Sequence, residues 1–122
     1  MKSDRKRNMK TLRLGVLVAV FAGAFTVGGG ARAEDLTTYS LTLKNHRFTP
    51  TEIHVPSGKA FFVSVTNLDD SADEFEMHAP AVEKVIPPGG EGKVRIRPLG
   101  PGRFPFMGEF HAETAQGAFV SE

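Results

Sequence analysis

The sequence predicts an all-β domain, a sandwich or barrel of seven or eight strands, over residues 34–122. Two observations support this prediction. Apolar residues alternate with polar residues over short runs, which is the period of a half-buried strand rather than of a helix. Proline and glycine residues separate these runs about every ten residues, a spacing typical of β-sandwiches. The pattern indicates one domain without internal repeats.

Eight short runs account for the expected strands. They cover residues 39–43, 53–55, 61–65, 75–77, 85–86, 94–96, 103–107 and 118–121. Residues 61–65 read FFVSV and form a dense apolar run, so we expect a central strand there. Proline and glycine favour tight turns, and they mark turns at residues 56–58, 87–90 and 99–102.

The first 33 residues predict a secretory signal peptide. A basic start precedes the apolar run LGVLVAVFAGAFTV at residues 14–27, and Ala31-Arg32-Ala33 fits a cleavage site. The alternative is a retained membrane anchor, although the run is short for a span of about 20 residues. A cleaved leader predicts a periplasmic protein made of residues 34–122.

Charge and cysteine content narrow the classes of function. The whole chain carries a net charge of +1, but residues 34–122 hold 13 acidic and 8 basic residues and are therefore at −5. An acidic domain argues against nucleic-acid binding and suits a cationic partner or a metal ion. The chain has no cysteine, so neither disulfides nor thiolate ligands are available.

Carboxylates and a histidine follow one expected strand, DEFEMH at residues 73–78. If Phe75 and Met77 face the core, then Glu74, Glu76 and His78 share the opposite face. Successive members of this set lie about 6.6 Å apart on a straight strand, from the rise per residue. All three are therefore too far apart to bind one ion, but one of them could do so with residues from another loop. The alternative is an ordinary solvated face.

A second set lies in FMGEFHAETAQG, at residues 106–117. It offers Met107, Glu109, His111 and Glu113 between glycines that allow a tight bend. Carboxylate and imidazole suit iron, Cu(II) or zinc, and a thioether favours copper. The chain has no HExxH motif, nucleophile elbow or phosphate-binding glycine loop, so no hydrolase or nucleotide-binding class is indicated.

The order of these features resembles the cupredoxin family. The matching residues are Phe48-x-Pro50-x-x-Ile53-x-Val55-Pro56-x-Gly58, Thr66-Asn67, Glu74-Phe75, Gly102-x-Phe104 and the closing Gly117. The resemblance covers residues 38–122 and implies a Greek-key β-sandwich with a metal site at one end. It also implies that the turn before Phe48 brings His46 to that end.

The chain departs from the electron-transfer cupredoxins at the metal ligands. In those proteins the ligands are His, Cys, His and usually Met. Here the first histidine position falls at Asp73-Glu74, the cysteine position near Met107 and the axial methionine position at Ala115, while His111 matches the loop histidine. Without a thiolate, blue-copper electron transfer is not expected.

One subset of cupredoxins fits better. Glu74-Phe75-Glu76, Val82-Glu83-Lys84 and the Pro-Gly-Gly turn resemble the small periplasmic cupredoxins that accompany iron-permease-type ferrous-iron uptake systems. This resemblance implies binding of copper or iron, help with ferrous-iron oxidation and import, and partners that include an inner-membrane iron permease and a companion periplasmic iron-binding protein. A non-catalytic metal carrier and an interaction module without metal are the alternatives. The candidate metal ligands are His46, Glu74, Glu109 and His111, with Glu76 and Met107 in second rank.

Overall fold

A computed structural model describes residues 35–122, and their regular secondary structure consists almost entirely of β-strands. The strands are β1 (Thr38–Lys44), β2 (Arg47–Thr49), β3 (Glu52–Val55), β4 (Phe61–Asn67), β5 (Asp73–His78), β6 (Ala81–Ile86), β7 (Glu91–Ile96), β8 (Gly102–Gly108) and β9 (Gln116–Ser121). One short 3-10 turn, Glu109–His111, separates β8 from β9. The predicted signal peptide lies outside the described residues. No helix within residues 35–122 is long and apolar enough to cross a membrane.

The strands form two sheets, so the all-β sandwich is confirmed. One sheet has the order β2-β1-β4-β7, and the other has the order β3-β9-β8-β5-β6. The pairs β1–β4 and β3–β9 are parallel, whereas the other paired strands are antiparallel. Residues 35–122 contain nine strands rather than seven or eight, and the strand that was not predicted is Arg47–Thr49.

Alternating apolar residues and five phenylalanines build the core between the sheets. In β4 the side chains of Phe61, Val63 and Val65 are buried, and the residues between them are partly exposed. Rings from the two sheets meet directly, with Phe61 and Phe119 centroids 5.0 Å apart. The buried phenylalanines are Phe48, Phe61, Phe75, Phe106 and Phe119. Without disulfides, this aromatic burial supplies much of the stability.

One end of the sandwich gathers the β1–β2 turn, the β4–β5 loop and the segment between β8 and β9. The register explains this, because Leu43 near the end of β1 pairs with Asn67 at the end of parallel β4. Asn67 is fully buried and holds the loops together. Its side-chain amide donates to the carbonyls of Ser71 and Pro87, and its Oδ1 accepts the N–H of Asp69 at 2.9 Å. Loops anchored in this way can position side chains for binding.

Candidate metal centre

His46 reaches the loop end through a two-residue hairpin turn. Asn45 and His46 both adopt left-handed backbone angles, with φ of 54° and 57°, which the connection between β1 and β2 requires. The carboxylate of Asp69 accepts the N–H of Asn45 at 2.6 Å and that of His46 at 2.9 Å. These two bonds outweigh the effect of burial and keep the pKa of Asp69 below its ordinary value. A strained turn anchored by a carboxylate therefore positions the His46 ring.

His111 is held by a buried carboxylate. Its Nδ1 lies 2.9 Å from Oδ2 of Asp73, whose side chain is only 2% exposed. The other oxygen, Oδ1, accepts the N–H groups of Glu74 at 2.8 Å and Phe110 at 3.0 Å. Asp73 therefore connects the first residues of β5 to the 3-10 turn that carries His111.

The two histidine rings stack face to face. The centroids of His46 and His111 lie 3.6 Å apart with an angle of 15° between their planes. Both rings border an open cleft of about 300 Å³, which is also lined by Phe110, Ala112, Glu113 and Thr114. A ring nitrogen binds a metal through a lone pair in the plane of the ring. Because the planes are nearly parallel, one ring must turn before both can bind the same ion.

A carboxylate cluster forms the second donor set. Oxygens of Glu74, Glu76 and Glu109 all lie within 4.8 Å of one another. Oε1 of Glu76 is buried and has no hydrogen-bond partner among residues 35–122, which is unusual for a polar atom. Partial burial raises the pKa of Glu74 above its ordinary value of 4.5, and the nearby negative charges of Glu83, Glu109 and Asp73 raise it further. The cluster thus concentrates negative charge around an unsatisfied oxygen.

Met107 lies beside this cluster. It pairs with Glu76 across β5 and β8, so the two side chains share the outer face of their sheet. Glu83 pairs with Glu76 on the other side, across β5 and β6. The outer face thus offers further carboxylate and thioether donors around Glu76.

The structure brings the predicted ligands together in two groups. His46 contacts His111, and Glu74 lies with Glu76 and Glu109. Within residues 35–122, no set of three donor atoms within 4.8 Å combines imidazole with these carboxylates. The single shell of His46, Glu74, Glu109 and His111 therefore remains a prediction, and binding through all four requires side-chain movement.

The carboxylate oxygens of Glu74 and Glu76 lie closer together than the strand spacing predicted. The estimate of about 6.6 Å between Glu74 and Glu76 refers to the backbone. The flexible glutamate side chains bring their oxygens within 4.8 Å. His78, at the end of the same strand, is exposed and does not belong to the cluster. His54 is also exposed, and its Nδ1 contacts Glu122 at 2.8 Å.

Two positioning residues, Asp69 and Asp73, were not among the predicted ligands. The sequence did indicate a buried position for Asp73, because it lies on the same face of β5 as Phe75 and Met77. All three residues are buried. An aspartate on the inner face of a strand needs hydrogen-bond partners, and it finds them in the last loop. No comparable signal existed for Asp69, since its partners lie 24 and 23 residues earlier in the chain.

The donors present fit a hard or borderline transition-metal ion. Carboxylate oxygens suit iron, particularly ferric iron, and imidazole suits copper and iron. The buried, unpartnered Oε1 of Glu76 is an oxygen that a bound cation would satisfy. The residues described here include no thiolate, because the chain lacks cysteine, so the blue-copper ligand set is absent from the chain.

Comparisons with known proteins match this architecture. A family model described as a cupredoxin-like domain matches residues 16–120. Uncharacterized protein RP394 of Rickettsia prowazekii (strain Madrid E) is 30% identical over 118 residues, 94% of each chain. Auracyanin A, a "blue" copper protein from Chloroflexus aurantiacus, has a TM-score of 0.62 at 12% identity and covers 70% of this chain and 98% of its own.

A second similar structure is that of a metal-binding domain. The metal-binding domain of the Cu(I)-exporting P-type ATPase CopA of Streptococcus pneumoniae D39, solved with Cu(I), has a TM-score of 0.62 at 15% identity. The alignment covers 75% of this chain and 92% of that domain. At these identities the solved structures show a shared fold alone. They confirm the predicted cupredoxin-like Greek-key sandwich.

Proposed function

Because the chain belongs to the cupredoxin-like domain family, we propose that it binds a copper or iron ion at the loop end and assists the oxidation and import of ferrous iron. The proposed location is the periplasm, in keeping with the signal peptide predicted from residues 1–33. The proposed recipients of the iron are an inner-membrane iron permease and a companion periplasmic iron-binding protein.

One observation carries the proposal: three carboxylates converge around a buried oxygen without a partner. Glu74, Glu76 and Glu109 repel one another when ionised. Partial burial raises the pKa of Glu74, and the negative charges of Glu83, Glu109 and Asp73 raise it further. A bound cation removes the repulsion and satisfies Oε1 of Glu76. Ferric iron is harder than ferrous iron and gains more from such oxygen ligands. The cluster therefore favours the product of ferrous oxidation.

The histidine pair suggests a division of roles within the same end of the fold. The carboxylates hold iron as the substrate, and His46 and His111 offer imidazole to copper. Copper, when bound, supplies a one-electron acceptor for ferrous iron. Dioxygen is the proposed terminal oxidant, so four ferrous ions and four protons convert one dioxygen molecule to two water molecules.

The test combines binding and turnover. We expect the purified protein to bind Fe³⁺ in calorimetric titration and, with copper present, to accelerate the aerobic loss of Fe²⁺ measured with a ferrous chelator. A Glu74→Gln/Glu76→Gln double variant should lose both properties. Asp70→Asn is the matched control, because Asp70 is an exposed carboxylate of the same loop end outside both the cluster and the histidine cleft. Equal binding by the double variant and the control would contradict the proposal.

A non-catalytic carrier is the second candidate, and the ring geometry favours it. Stacked imidazoles do not converge on one ion without rotation, so the carboxylates could hold iron while no copper centre forms. Stoichiometric iron binding without faster ferrous oxidation would select the carrier. No specific binding of copper or iron would instead favour an interaction module without metal.

A further inference from the structure

The carboxylate of Asp73 has three polar partners. The carboxylate is almost completely buried. Oδ1 accepts backbone N–H groups from Glu74 and Phe110, while Oδ2 lies 2.9 Å from Nδ1 of His111. A carboxylate offers acceptors only. The nitrogen facing it must therefore carry a hydrogen.

We propose that Asp73 is a positioning residue that selects the Nδ1–H tautomer of His111 and so leaves the lone pair on Nε2 free for a metal ion. A neutral imidazole has one donor and one acceptor nitrogen, and the partner of one determines the role of the other. His111 borders the open cleft, and its side chain is 25% exposed. Its use as a ligand rests on the proposed function, whereas its tautomer does not.

Gly108 provides independent evidence that the loop is shaped around this carboxylate. Its backbone angles, φ −93° and ψ 105°, are open to any residue, so conformation does not explain the glycine. A Cβ atom there would lie 2.6 Å from Oδ2 of Asp73 and 2.8 Å from Cβ of Ala115. The glycine therefore makes room for the oxygen that contacts His111.

The same carboxylate joins the two donor groups. Through Oδ1 it holds the backbone of Glu74, which belongs to the carboxylate cluster, and of Phe110, which follows Glu109. Through Oδ2 it orients the ring of His111. Residues of this kind behind metal-binding histidines fix the tautomer and the orientation of the ring. If Asp73 and His111 formed only a structural ion pair, no particular neutral tautomer of His111 would be required. The tautomer of His111 therefore distinguishes the positioning role from a structural one.

The decisive experiment reads the ring nitrogens of His111 in the metal-free protein by long-range ¹H–¹⁵N NMR. We would record spectra at about pH 8, above the ordinary histidine pKa of about 6.5. The proposal expects a protonated Nδ1 and an unprotonated Nε2. In Asp73→Asn, Oδ1 still accepts both backbone N–H groups, but the amide NH₂ now donates to Nδ1, so the hydrogen should move to Nε2.

Asp70→Asn is the matched control. Asp70 is an exposed carboxylate in the same β4–β5 loop. The tautomer of His111 should be unchanged in this variant. An Nε2–H tautomer in the wild-type protein, or the same shift in both variants, would overturn the proposal. The wild-type spectrum decides the question even if Asp73→Asn fails to fold.

Metal titration separates this inference from the proposed function. Asp73→Asn should bind Cu²⁺ about 10- to 100-fold more weakly than the wild type, the usual effect of removing such a partner. Wild-type protein that has the Nδ1–H tautomer but binds neither copper nor iron would refute the proposed function and leave the tautomer assignment standing. Unchanged Cu²⁺ affinity in a folded Asp73→Asn protein would refute the positioning role.

Discussion

Replacing Gly108 with alanine tests the packing that holds the proposed centre. The new Cβ would lie 2.6 Å from Oδ2 of Asp73 and 2.8 Å from Cβ of Ala115, closer than real Cβ contacts. Neither neighbour can yield easily, because Asp73 and Ala115 are both buried and Asp73 is held by three hydrogen bonds. Overpacking of this kind costs about 1–3 kcal/mol.

This loss of stability should lower the melting temperature of the Gly108→Ala protein. For a domain of this size, 1 kcal/mol corresponds to a shift of about 4–8 °C, so a loss of about 2 kcal/mol lowers the midpoint by about 8–16 °C. We would measure thermal unfolding by circular dichroism and urea unfolding at one pH. Gly100→Ala is the matched control, because a Cβ at Gly100 meets no atom within 4 Å. Equal stability of the two alanine variants would refute the reasoning.

Three further predictions follow from the site. Glu74→Gln should stabilise the metal-free protein at neutral pH, because the pKa of Glu74 is raised and its ionisation disfavours the folded state; urea titrations should show the gain disappearing as pH falls below 4.5. His46→Gly should change the stability of the metal-free protein by less than about 1 kcal/mol, because glycine relieves the left-handed backbone and this gain offsets the lost ring stacking. In calorimetry, His46→Gly should weaken Cu²⁺ binding, whereas the control variant Asn45→Gly should not. Fe³⁺ at a hundredfold excess over Kd should add about 2.7 kcal/mol of stability, and a chelator should reverse the gain in thermal unfolding.

The fold could be predicted because its signal is local. The alternation is direct in β4, where Phe61, Val63 and Val65 are buried between partly exposed residues, and the turns at residues 56–58 and 87–90 contain proline and glycine. The strand Arg47–Thr49 was missed because it has three residues and a single buried side chain, Phe48. So short a run shows no period from which a strand can be recognised.

The site was predicted less completely because its contacts are not local. The hairpin at Asn45 and His46 lacks the glycine that usually signals such a turn, and its left-handed angles are supported by Asp69 from another loop. The stacking of His46 on His111 joins segments 65 residues apart in sequence. Resemblance to a family placed both histidines at one end, but neither composition nor spacing could supply their geometry.

The two donor groups differ in chemical character and share one buried anion. Oxygen ligands favour the harder ferric ion, and imidazole accommodates copper. Asp73 contacts His111 directly and the backbone of Glu74, so an ion at Nε2 of His111 and an ion among the glutamates would both act on the same carboxylate. Metal binding in one group should therefore alter the geometry of the other. This coupling gives the proposed iron and copper sites a physical connection without a shared ligand.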